Sequence, residues 1–393
     1  MMRRMERLER IRQEVLAAIS PLPAERLPVA LALGRWLSAP VLALRAAPRF
    51  TCSAMDGYAA RSGDVNGLAR LRVRRTVFAG ESPGEEVGVG EAVRIYTGAP
   101  LPAGADTVVR EEAARATEGW VELNGPVRAG ENVRQAGEDV PAGGLALDAG
   151  VRIGARQLAL LTAVGNAEVL VSRRPRVTLV ATGDELVAGR TANSNGTALA
   201  AALRALGAEV ECAEVGDDLD GLACVLERAV AERDALLTIG GVSVGARDHV
   251  AAAIGRLGGD VRVHGVPMKP GKPFLFAVVA GKPVFGLPGS PSACLVAFEV
   301  FARPALMRLA GAARPFRRAL RLPVAEPVSG RPGRARFMWA RLEEDGRVRP
   351  VGRDAAQVRG PALADALLWV GEGTGELPEG ASVLAWLLED DAA

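Results

Sequence analysis

The sequence predicts a multidomain α/β protein whose main part is a doubly wound, mostly parallel α/β domain. Three observations predict this fold class. The length of 393 residues is more than one ordinary domain holds. From Pro175 to Leu309, strand-like and helix-like segments alternate, which is the pattern of a parallel sheet covered on both faces. Short β-like runs, punctuated by glycine and proline, precede and follow this region.

The composition excludes several classes of protein. Hydrophobic residues make up 49% of the chain and charged residues 24%, a globular balance that disordered proteins lack. The net charge of +2 gives no electrostatic reason to bind nucleic acid or a membrane surface. No apolar run approaches the ~18 residues of a membrane helix, and the charged N-terminus lacks a signal-peptide core. We therefore expect neither nucleic-acid nor membrane partners.

The cysteines and histidines limit the chemistry that is available. The four cysteines form no CxxC motif and no evident disulfide framework, so a reducing cytoplasm is the simplest location. His249 and His264 are the only histidines, too few for a typical zinc site and a poor supply for a Ser-His-Asp triad. We expect chemistry that relies on carboxylates, lysines, hydroxyls and backbone amides.

The first 173 residues are predicted to contain helices at both ends and β structure between them. Residues 1–45 are expected to be helical, with a break at residues 21–23 and a second helix that ends near Leu37. Short alternating segments, such as RLRVRRTVFAG and GEAVRIYTGAP, predict small β-rich structure from Ala46 to about Gly150. A helix, ARQLALLTAVG, and a strand, AEVLVSR, follow.

The α/β region is predicted element by element. Its strands are expected at residues 177–183, 208–216, 235–241, 261–266, 274–280 and 282–287, and its helices at residues 196–206, 218–233, from Asp248 onward, and at 291–309. Residues 312–393 read as a small separate β domain. Residues 312–353 carry eleven arginines against four acids, an excess that is typical of a solvated face but could also flank an anionic pocket.

The turns after the predicted strands are the expected functional positions, because ligands of such sheets bind at the carboxyl ends of the strands. The glycine-rich turns 240–245 and 286–291 precede helices and are suited to phosphate or another oxyanion. Acids in three such turns could converge as hard oxygen ligands for Mg²⁺. These acids are Glu185, Asp218 and Asp248. The alternative is that each Asp only caps the helix that follows it.

Lysine is concentrated in one loop. The chain has 48 lysines and arginines, of which only Lys269, Lys272 and Lys282 are lysines. The first two lie in the segment MKPGKP, where flanking prolines stiffen the loop, and a lysine is a compact charge suited to phosphate or a small oxyanion. Lys282 is expected in a hairpin turn. Acids, phosphate-type turns and two lysines together indicate phosphoryl or nucleotidyl chemistry on a phosphorylated substrate.

Three segments of the β-rich region match no general catalytic template. They are SAMDGYA (residues 53–59), IYTGAPLP (residues 95–102) and GENVRQAGED (residues 130–139), and the first two contain both tyrosines of the chain. Structural turns are the simplest interpretation of these segments taken one at a time.

Taken in order, these segments resemble the molybdopterin molybdotransferase family, the bacterial MoeA type that also forms the E domain of gephyrin. The motifs that carry the resemblance are SAMDGYA, TGAPLP, the GEN-R-GED segment, TGDEL, GGVSVG with the Asp that follows it, KPGKP and GLPG-P. The match runs from the N-terminal helix to near residue 310, with a vaguer continuation to the end. Each motif is weak alone, and the ordered set is specific.

The resemblance implies a fold, a reaction and a location. It implies a cytoplasmic, elongated homodimer that inserts molybdate into adenylyl-molybdopterin with Mg²⁺ and releases AMP, forming molybdenum cofactor. A molybdopterin adenylyltransferase and molybdoenzyme acceptors are further possible partners. The implied domains are an N-terminal linking domain (1–45 and 142–173), an inserted β-rich domain (46–141), an α/β molybdopterin-binding domain (174–311) and a C-terminal β domain (312–393).

The resemblance also assigns site residues, on the two sides of a dimer interface. The residues with catalytic roles are Asp56, Thr97, Asp139, Glu185, Lys269 and Lys272. Those that bind the pterin substrate or its anionic groups are Arg134, Gly240, Gly241, Ser243, Gly245, Pro288, Gly289, Ser290 and Pro291. Asp218, Asp248 and Glu185 are assigned to Mg²⁺, and Ser243 joins the two lysines of the loop in holding molybdate or phosphate.

The chain departs from the usual family pattern around oxyanion binding. In the GLPG turn, Ser290 replaces asparagine, and Ser292 with Ala293 replaces Val-Ser, so a hydroxyl that helps to hold the oxyanion in the family is missing. In the C-terminal domain, Arg359 stands in the position of a usual serine. These departures leave a divergent paralogue, either using tungstate or acting as a non-catalytic molybdopterin-binding scaffold, as the alternative. A molybdopterin adenylyltransferase, which lacks the SAMDGYA region, ranks last.

Overall fold

Three six-stranded sheets organise the chain in the computed structural model, which describes residues 7–242, 249–352 and 356–388. One sheet belongs to the β-rich region, one to the α/β region and one to the C-terminal region. This multidomain α/β architecture confirms the predicted fold class. The exact domain boundaries stay a prediction.

The N-terminal segment and the segment after the β-rich region pair with each other. Strand Ala24–Pro28 is antiparallel to Glu168–Ser172, and Val41–Leu42 is antiparallel to Leu145–Leu147. Their helices are Arg7–Ala17 and Ala155–Ala163, with a 3₁₀ turn at Val29–Leu31. Apolar residues of the two segments share a small core, in which Val29 and Leu37 of the first segment lie with Ile153, Leu161 and Val171 of the second.

The prediction of a second N-terminal helix, ending near Leu37, is wrong. Its residues form the strand Ala24–Pro28 and one 3₁₀ turn instead. Leu22 and Leu27 each precede a proline, and the residue before proline is biased toward extended backbone. The strand is then completed by a partner that lies more than a hundred residues away in sequence, which no local pattern reveals.

The β-rich region forms a six-stranded sheet. In chain order its regular elements are the strands Cys52–Ser53, Gly57–Ala60, Leu68–Val77, Glu91–Ile95, Thr107–Arg110, Ala114–Thr117, Trp120–Asn124 and Val133–Arg134, with 3₁₀ turns at Ser62–Asp64 and Glu111–Ala113. Cys52–Ser53 and Val133–Arg134 pair with each other outside this sheet. Gly57 lies where a side chain is impossible, because an added Cβ would be 2.0 Å from the carbonyl oxygen of Val109.

The α/β region carries the sheet on which the site is built. Its strands are β1 (Arg176–Thr182), β2 (Glu209–Val215), β3 (Ala235–Ile239), β4 (Asp260–His264), β5 (Leu275–Val279) and β6 (Lys282–Leu287). Its helices are α1 (Asp184–Val187), α2 (Ser194–Ala205), α3 (Leu219–Glu232), α4 (His249–Arg256), α5 (Pro291–Ala297) and α6 (Arg303–Leu309). The strand order is β2-β1-β3-β6-β5-β4, parallel across the first four strands and antiparallel at the last two.

Local sequence explains several boundaries in this region. The Asn193 side chain accepts a hydrogen bond from the backbone N–H of Gly196 and so caps α2. Ala280 and Gly281, both at positive φ, form the two-residue hairpin between β5 and β6, so Lys282 begins a strand directly after the expected turn. The predicted alternation of strands and helices is confirmed.

The long helix predicted at residues 291–309 is interrupted once. Between α5 and α6, residues Phe298–Ala302 form a π-helical turn. Pro304 lies at the start of α6 and has no N–H to donate to the preceding turn. The wider turn lets the chain continue past the missing hydrogen bond without ending the helix.

The C-terminal region is a β unit that contacts both the α/β region and the N-terminal helix. Its strands are Ala319–Pro323, Val328–Ser329, Ala335–Leu342, Val348–Pro350, Ala366–Val370, Glu376–Leu377 and Ser382–Leu387, with one short helix at Arg359–Ala362. The strand Met268–Lys269 joins this sheet in parallel with Ala335–Leu342. The backbone N–H of Leu8 donates to Glu372 Oε1 at 2.7 Å. Among the described residues, no helix is both long and apolar enough to span a bilayer.

Candidate functional site

Three loops meet at the carboxyl edge of the parallel strands. The Thr182 hydroxyl, at the end of β1, donates to the carbonyl oxygen of Ile239 at the end of β3 (3.1 Å). The backbone N–H of Gly240 donates to the carbonyl oxygen of Leu287 at the end of β6 (3.0 Å). Gly240 has φ 86°, and a Cβ there would lie 2.8 Å from Thr182 Oγ1. The loops after β1, β3 and β6 are therefore packed backbone to backbone, and we call them the strand-end cluster.

The GLPG turn is fixed from the side by a residue that sequence reasoning missed. Asn195 Nδ2, in the first turn of α2, donates to the carbonyl oxygen of Gly289 at 2.7 Å. Ser290 then leads into α5, where Pro291 occupies the first turn and its missing N–H costs nothing. The sequence Asn193-Ser194-Asn195 at the start of α2 could have indicated this contact, because Asn and Ser side chains at helix starts commonly bond to backbone groups.

Of the glycine-rich turn 240–245, residues 240–242 belong to the part of the chain that the structure describes. Gly240 and Gly241 both have positive φ, and Gly289 lies next to Gly240, with 3.7 Å from its ideal Cβ to the Gly240 Cα. The predicted site residues Ser243, Gly245 and Asp248 fall outside the described residues.

The acidic residues at the ends of β1 and β2 have defined local roles. Asp184 Oδ1 accepts the backbone N–H of Asp217 at 2.9 Å and thereby ties the two loops together. Asp218 caps α3, accepting the N–H of Asp220 (3.3 Å) and of Gly221 (2.7 Å). Glu185 is exposed and its carboxylate folds over Gly183, whose ideal Cβ would lie 2.6 Å from Oε1. The capping alternative considered for Asp218 therefore applies in this structure.

These carboxylates form no complete metal cage by themselves. Within residues 7–242, 249–352 and 356–388, which leave out Asp248, no three His, Cys, Asp or Glu side chains are arranged as a metal site. Glu185 and Asp218 nevertheless supply exposed, hard oxygen atoms in neighbouring strand-end loops. That chemistry suits Mg²⁺, which usually keeps several waters and takes only one or two protein carboxylates beside substrate phosphates.

The segment MKPGKP (residues 268–273), which we call the lysine loop, lies between the α/β region and the C-terminal sheet. The N–H of Val266 donates to the carbonyl oxygen of Lys272, and the ideal Cβ of Gly271 lies 3.5 Å from the carbonyl oxygen of Ala293 in α5. Lys269 and Lys272 are both exposed. Lys269 lines a narrow cavity of about 50 Å³ together with Ser292 and residues of the C-terminal sheet. The loop and the GLPG turn are thus neighbours.

A buried hydrogen bond closes this narrow cavity on one side. Trp339 Nε1, in the C-terminal sheet, donates to Ser292 Oγ in α5 at 2.9 Å. Ser292 is 3% exposed and Trp339 is 8% exposed. The Ser292 hydroxyl is therefore engaged with an indole, and Ala293 beside it has no hydroxyl to offer.

The first two β-rich motifs meet through one carboxylate. Asp56 Oδ1 accepts both the backbone N–H of Thr97 (2.8 Å) and its hydroxyl (2.7 Å). These two bonds, the backbone one first, lower the pKa of Asp56, and the charge of Arg94 adds to the effect. Asp56 is consequently held as a carboxylate on an exposed surface.

The third β-rich motif joins the other two through backbone pairing. The strand Val133–Arg134 pairs with Cys52–Ser53, and the N–H of Ala54 donates to the carbonyl oxygen of Asn132. Arg134 donates to Glu138 at 2.5 Å and has Asp139 3.7 Å away. This one hydrogen bond raises the pKa of Arg134 and lowers the pKa of Glu138, because it stabilises the charged form of both side chains.

Glu138, which sequence reasoning missed, is thus the main partner of Arg134; its position in the GED motif was the available signal. We call the assembly of these three motifs the β-rich cluster. The bonds that hold the β-rich cluster all stay within residues 46–141, and none of them extends to the strand-end cluster or the lysine loop.

A larger cavity lies away from all the predicted site residues. It has a volume of about 620 Å³ and lies between the N-terminal helix and the C-terminal sheet. Arg12 on its wall already pairs with Glu9 at 2.6 Å and lies against the rings of Phe316 and Trp386. Cavity size alone therefore does not locate the site, and the convergence of loops does.

Three family models match successive parts of the chain. The model described as the MoeA N-terminal region (domain I and II) matches residues 5–165, the model of a probable molybdopterin binding domain matches residues 178–308, and the model of the MoeA C-terminal region (domain IV) matches residues 321–388.

Named relatives and solved structures extend over the same length. A molybdopterin molybdenumtransferase 2 of Mycobacterium tuberculosis is 35% identical over 405 aligned positions, covering 98% of this chain and 99% of the relative. A molybdopterin molybdenumtransferase of Staphylococcus aureus is 33% identical, covering 97% and 95%. A molybdopterin biosynthesis moeA protein from Pyrococcus horikoshii has a TM-score of 0.77 at 33% identity, covering 97% of this chain and 98% of that one.

Proposed function

The chain belongs to the MoeA family of molybdopterin molybdenumtransferases, and from this membership we propose that it inserts molybdate into adenylyl-molybdopterin and releases AMP. It is a transferase of molybdenum cofactor biosynthesis. The observation that carries the proposal is the packing of three strand-end loops on one another, with the two-lysine loop beside the GLPG turn.

The proposed roles follow from the chemistry of each group. Backbone N–H groups of the Gly240–Gly241 and GLPG turns would bind the phosphate oxygens of the substrate. Lys269 and Lys272 would neutralise the charge of the pyrophosphate bridge and of molybdate as the phosphate bond breaks. Glu185 and Asp218 would hold Mg²⁺, which when bound supplies charge neutralisation to the leaving AMP.

We propose that the β-rich cluster acts on the strand-end cluster of a second copy in a homodimer. Two facts support this arrangement. The bonds of the β-rich cluster are satisfied within residues 46–141, and its Asp56 carboxylate is exposed. A surface that carries an ordered, ionised Asp and an Arg134–Glu138 pair is equipped to meet a polar partner surface. Asp56, Thr97, Arg134 and Asp139 would then orient the substrate from the opposite side.

The supply and use of the substrate follow from the reaction. An adenylyltransferase acting on molybdopterin must supply the activated pterin, and molybdoenzymes must accept the cofactor. We propose a cytoplasmic location, since Cys52, Cys212, Cys224 and Cys294 are all free thiols. Burial raises the pKa of the Cys294 thiol to about 12, which keeps it protonated and unreactive.

The test is AMP release from adenylyl-molybdopterin by the purified protein with Mg²⁺ and molybdate. We expect Lys269→Ala and Lys272→Ala each to lower the rate by about tenfold or more, because each removes one charge from the anion site. Lys282→Ala is the matched control, since it removes the third lysine of the chain from the start of β6, directly after the hairpin turn. Equal rates in all four proteins, or no metal-dependent AMP release with either molybdate or tungstate, would refute the proposal.

A second candidate function is favoured by one observation, the Ser292–Trp339 bond. It commits the Ser292 hydroxyl in the first turn of α5 to the C-terminal sheet, while Ala293 beside it offers none. A site with fewer hydroxyl donors for molybdate fits a tungstate-using paralogue or a scaffold that binds molybdopterin without turnover. Tight binding of adenylyl-molybdopterin with no AMP release would select the scaffold, and release with tungstate alone would select the tungstate paralogue.

A further inference from the structure

Two stacked aromatic rings lie where two strands of the β-rich sheet end, beside the loop that holds Thr97. Phe78 and Tyr96 directly follow the strands Leu68–Val77 and Glu91–Ile95, which are parallel neighbours in that sheet. Because the last residues of the two strands are partners in register, the aromatic residues leave the sheet side by side. Their rings stack with centroids 4.7 Å apart and planes 10° from parallel. We call this pair the ring platform.

The ring platform presents an aromatic face to solvent. Tyr96 covers one face of the Phe78 ring, and Phe78 is still 48% exposed, so its other face is open to water. Tyr96 itself is half-buried, and the guanidinium carbon of Arg94 lies 5.4 Å from the centre of its ring. A flat ligand ring that covers the open face of Phe78 would remove apolar surface from water and gain a ring contact.

Hydrogen bonds hold the ring platform in place before any ligand arrives. The backbone N–H of Phe78 donates to Glu81 Oε2 (3.0 Å), and the N–H of Glu81 donates back to the carbonyl oxygen of Phe78 (3.2 Å). Gly80 has φ 86° at the third position of this turn, where glycine is favoured. The N–H of Tyr96 donates to the carbonyl oxygen of Val77 at 3.2 Å. Binding to a surface ordered in this way costs little conformational entropy.

The ring platform is continuous with the β-rich cluster. Tyr96 precedes Thr97, whose N–H and hydroxyl both donate to Oδ1 of Asp56. Among the residues that the structure describes, nothing donates to Oδ2 of Asp56, so one oxygen of this exposed carboxylate is available to a ligand. The two turns are also neighbours, because the ideal Cβ of Gly98 would lie 3.8 Å from the Cβ of Ala79. A flat aromatic surface and an ionised acceptor thus lie in adjoining loops.

We propose that the ring platform stacks the pterin ring of the substrate while the Asp56 carboxylate accepts hydrogen bonds from the edge of that ring. The inference rests on the proposed function and names the surface that recognises the pterin half of the substrate. Along one edge, a pterin presents an amino group beside a ring N–H, and both donate to an ionised carboxylate, which only accepts. The corresponding edge of adenine presents an amino group beside a ring nitrogen acceptor, which a carboxylate repels. The ring platform therefore discriminates between the two ends of adenylyl-molybdopterin.

The test measures ring binding directly, without turnover. Ligand-observed NMR would be recorded with hydroxymethylpterin, which lacks the phosphate and the metal-binding group of the substrate, and separately with AMP. Ring protons of a ligand that lies over Phe78 shift upfield, because they enter the ring current. We expect the wild-type protein to bind the pterin and Phe78→Leu to weaken that binding by about fivefold or more, while AMP binding stays unchanged. Phe78→Trp and Tyr96→Phe keep both rings and should bind the pterin as the wild type does.

Trp120→Leu is the matched control. Trp120 is 39% exposed on the same sheet and lies 5.1 Å from the guanidinium carbon of Arg70, so it resembles the ring platform in chemistry. Its strand pairs with Leu68–Val77 and Ala114–Thr117 and contributes nothing to the β-rich cluster. We expect this variant to bind the pterin with the affinity of the wild type.

Kinetics with adenylyl-molybdopterin give a second measurement. Phe78→Leu should raise KM about fivefold or more and leave kcat within about twofold, because stacking holds the bound substrate and the transition state alike. Three outcomes would overturn the inference: no upfield shift with the wild type, equal pterin binding by wild type and Phe78→Leu, or loss of AMP binding instead of pterin binding. Pterin binding that requires Phe78, in a protein that releases no AMP, would count against the proposed function alone.

Discussion

At the scale of single residues, the contact between Trp339 and Ser292 joins two parts of the molecule through one buried hydrogen bond. The indole belongs to the C-terminal sheet and the hydroxyl to α5, directly after the GLPG turn. Removing either partner leaves the polar group of the other one buried without this hydrogen bond. The cost of an unsatisfied buried donor or acceptor is about 1–3 kcal/mol.

A double-mutant cycle measures that bond. We expect Trp339→Phe and Ser292→Ala each to lower the free energy of unfolding by about 1–3 kcal/mol, and the double variant to cost about 0.5–1.5 kcal/mol less than their sum. Urea unfolding of the four proteins gives the coupling. Strict additivity of the two single effects would show that the bond contributes nothing.

The Asp56–Thr97 contact makes a prediction about pH. Two bonds from Thr97 hold the Asp56 pKa low, so the stability that they contribute is present above the unfolded-state pKa of Asp56 and is lost as pH falls through its folded pKa. Thr97→Val removes the hydroxyl bond and keeps the backbone bond. We expect the Asp56 pKa to rise in this variant, as measured by carboxyl ¹³C NMR titration, with Thr117→Val as the control. An unchanged titration would contradict the assignment.

The sequence could assign candidate residues at this scale but not their partners. Asp56, Thr97 and Arg134 stood out in motifs, whereas the bond between Asp56 and Thr97 spans 41 positions and depends on how two strands are placed. Glu138 and Asn195 make equally definite contacts, yet each is a common polar residue in a loop. Only three-dimensional placement separates such residues from their neighbours.

At the scale of elements, Asp218 at the start of α3 has two roles to separate: it caps the helix, and it is proposed as a ligand of Mg²⁺. The substitution Asp218→Asn separates the two roles, since asparagine caps a helix as well as aspartate does but is a weak ligand for Mg²⁺. We expect Asp218→Asn to retain the wild-type Tm and to require more Mg²⁺ for AMP release. Asp218→Ala should also lose about 1 kcal/mol of stability. An unchanged Mg²⁺ requirement in Asp218→Asn would leave only the cap.

The close approach of two strands in the β-rich sheet gives a second prediction for elements. A methyl group on Gly57 would collide with the backbone of Val109, which cannot rotate away. We expect Gly57→Ala to destabilise the protein by roughly 1–3 kcal/mol through strand displacement. Gly63→Ala is the control, because a Cβ there would have no atom within 4 Å. Thermal unfolding distinguishes them, and equal Tm values for the two variants would contradict the close approach.

How well the elements could be predicted depended on where their partners lie in sequence. The α/β strands are apolar runs bounded by glycine and acids, and their helices pack locally, so the sequence pattern located them. The strand Ala24–Pro28 exists because Glu168–Ser172 lies beside it, and periodicity over residues 24–37 could not show this. The π-helical turn depends on Pro304 within a helix that otherwise continues.

At the scale of the whole molecule, the separation of the two clusters predicts complementation between subunits. A variant damaged in the β-rich cluster (Asp56→Asn) and one damaged in the lysine loop (Lys272→Ala) should each release AMP at about a tenth of the wild-type rate or less when assayed alone. When the two variants are refolded together, random pairing makes about half of the dimers mixed, and each mixed dimer contains one intact composite site of two. We therefore expect about a quarter of the wild-type AMP release. A site contained within one chain would show no recovery in the mixture.

The contact between Leu8 and Glu372 has a consequence for how the protein is made. These residues are 364 positions apart, yet the N-terminal helix places its backbone and Arg12 directly against the C-terminal sheet. At a synthesis rate of ~5–20 residues per second, the helix leaves the ribosome roughly 20–70 s before its partner exists. During that interval its apolar face, including Leu8 and Val15, has no native cover on the C-terminal side. The N-terminal helix therefore completes its packing only after the C-terminal sheet has been synthesised.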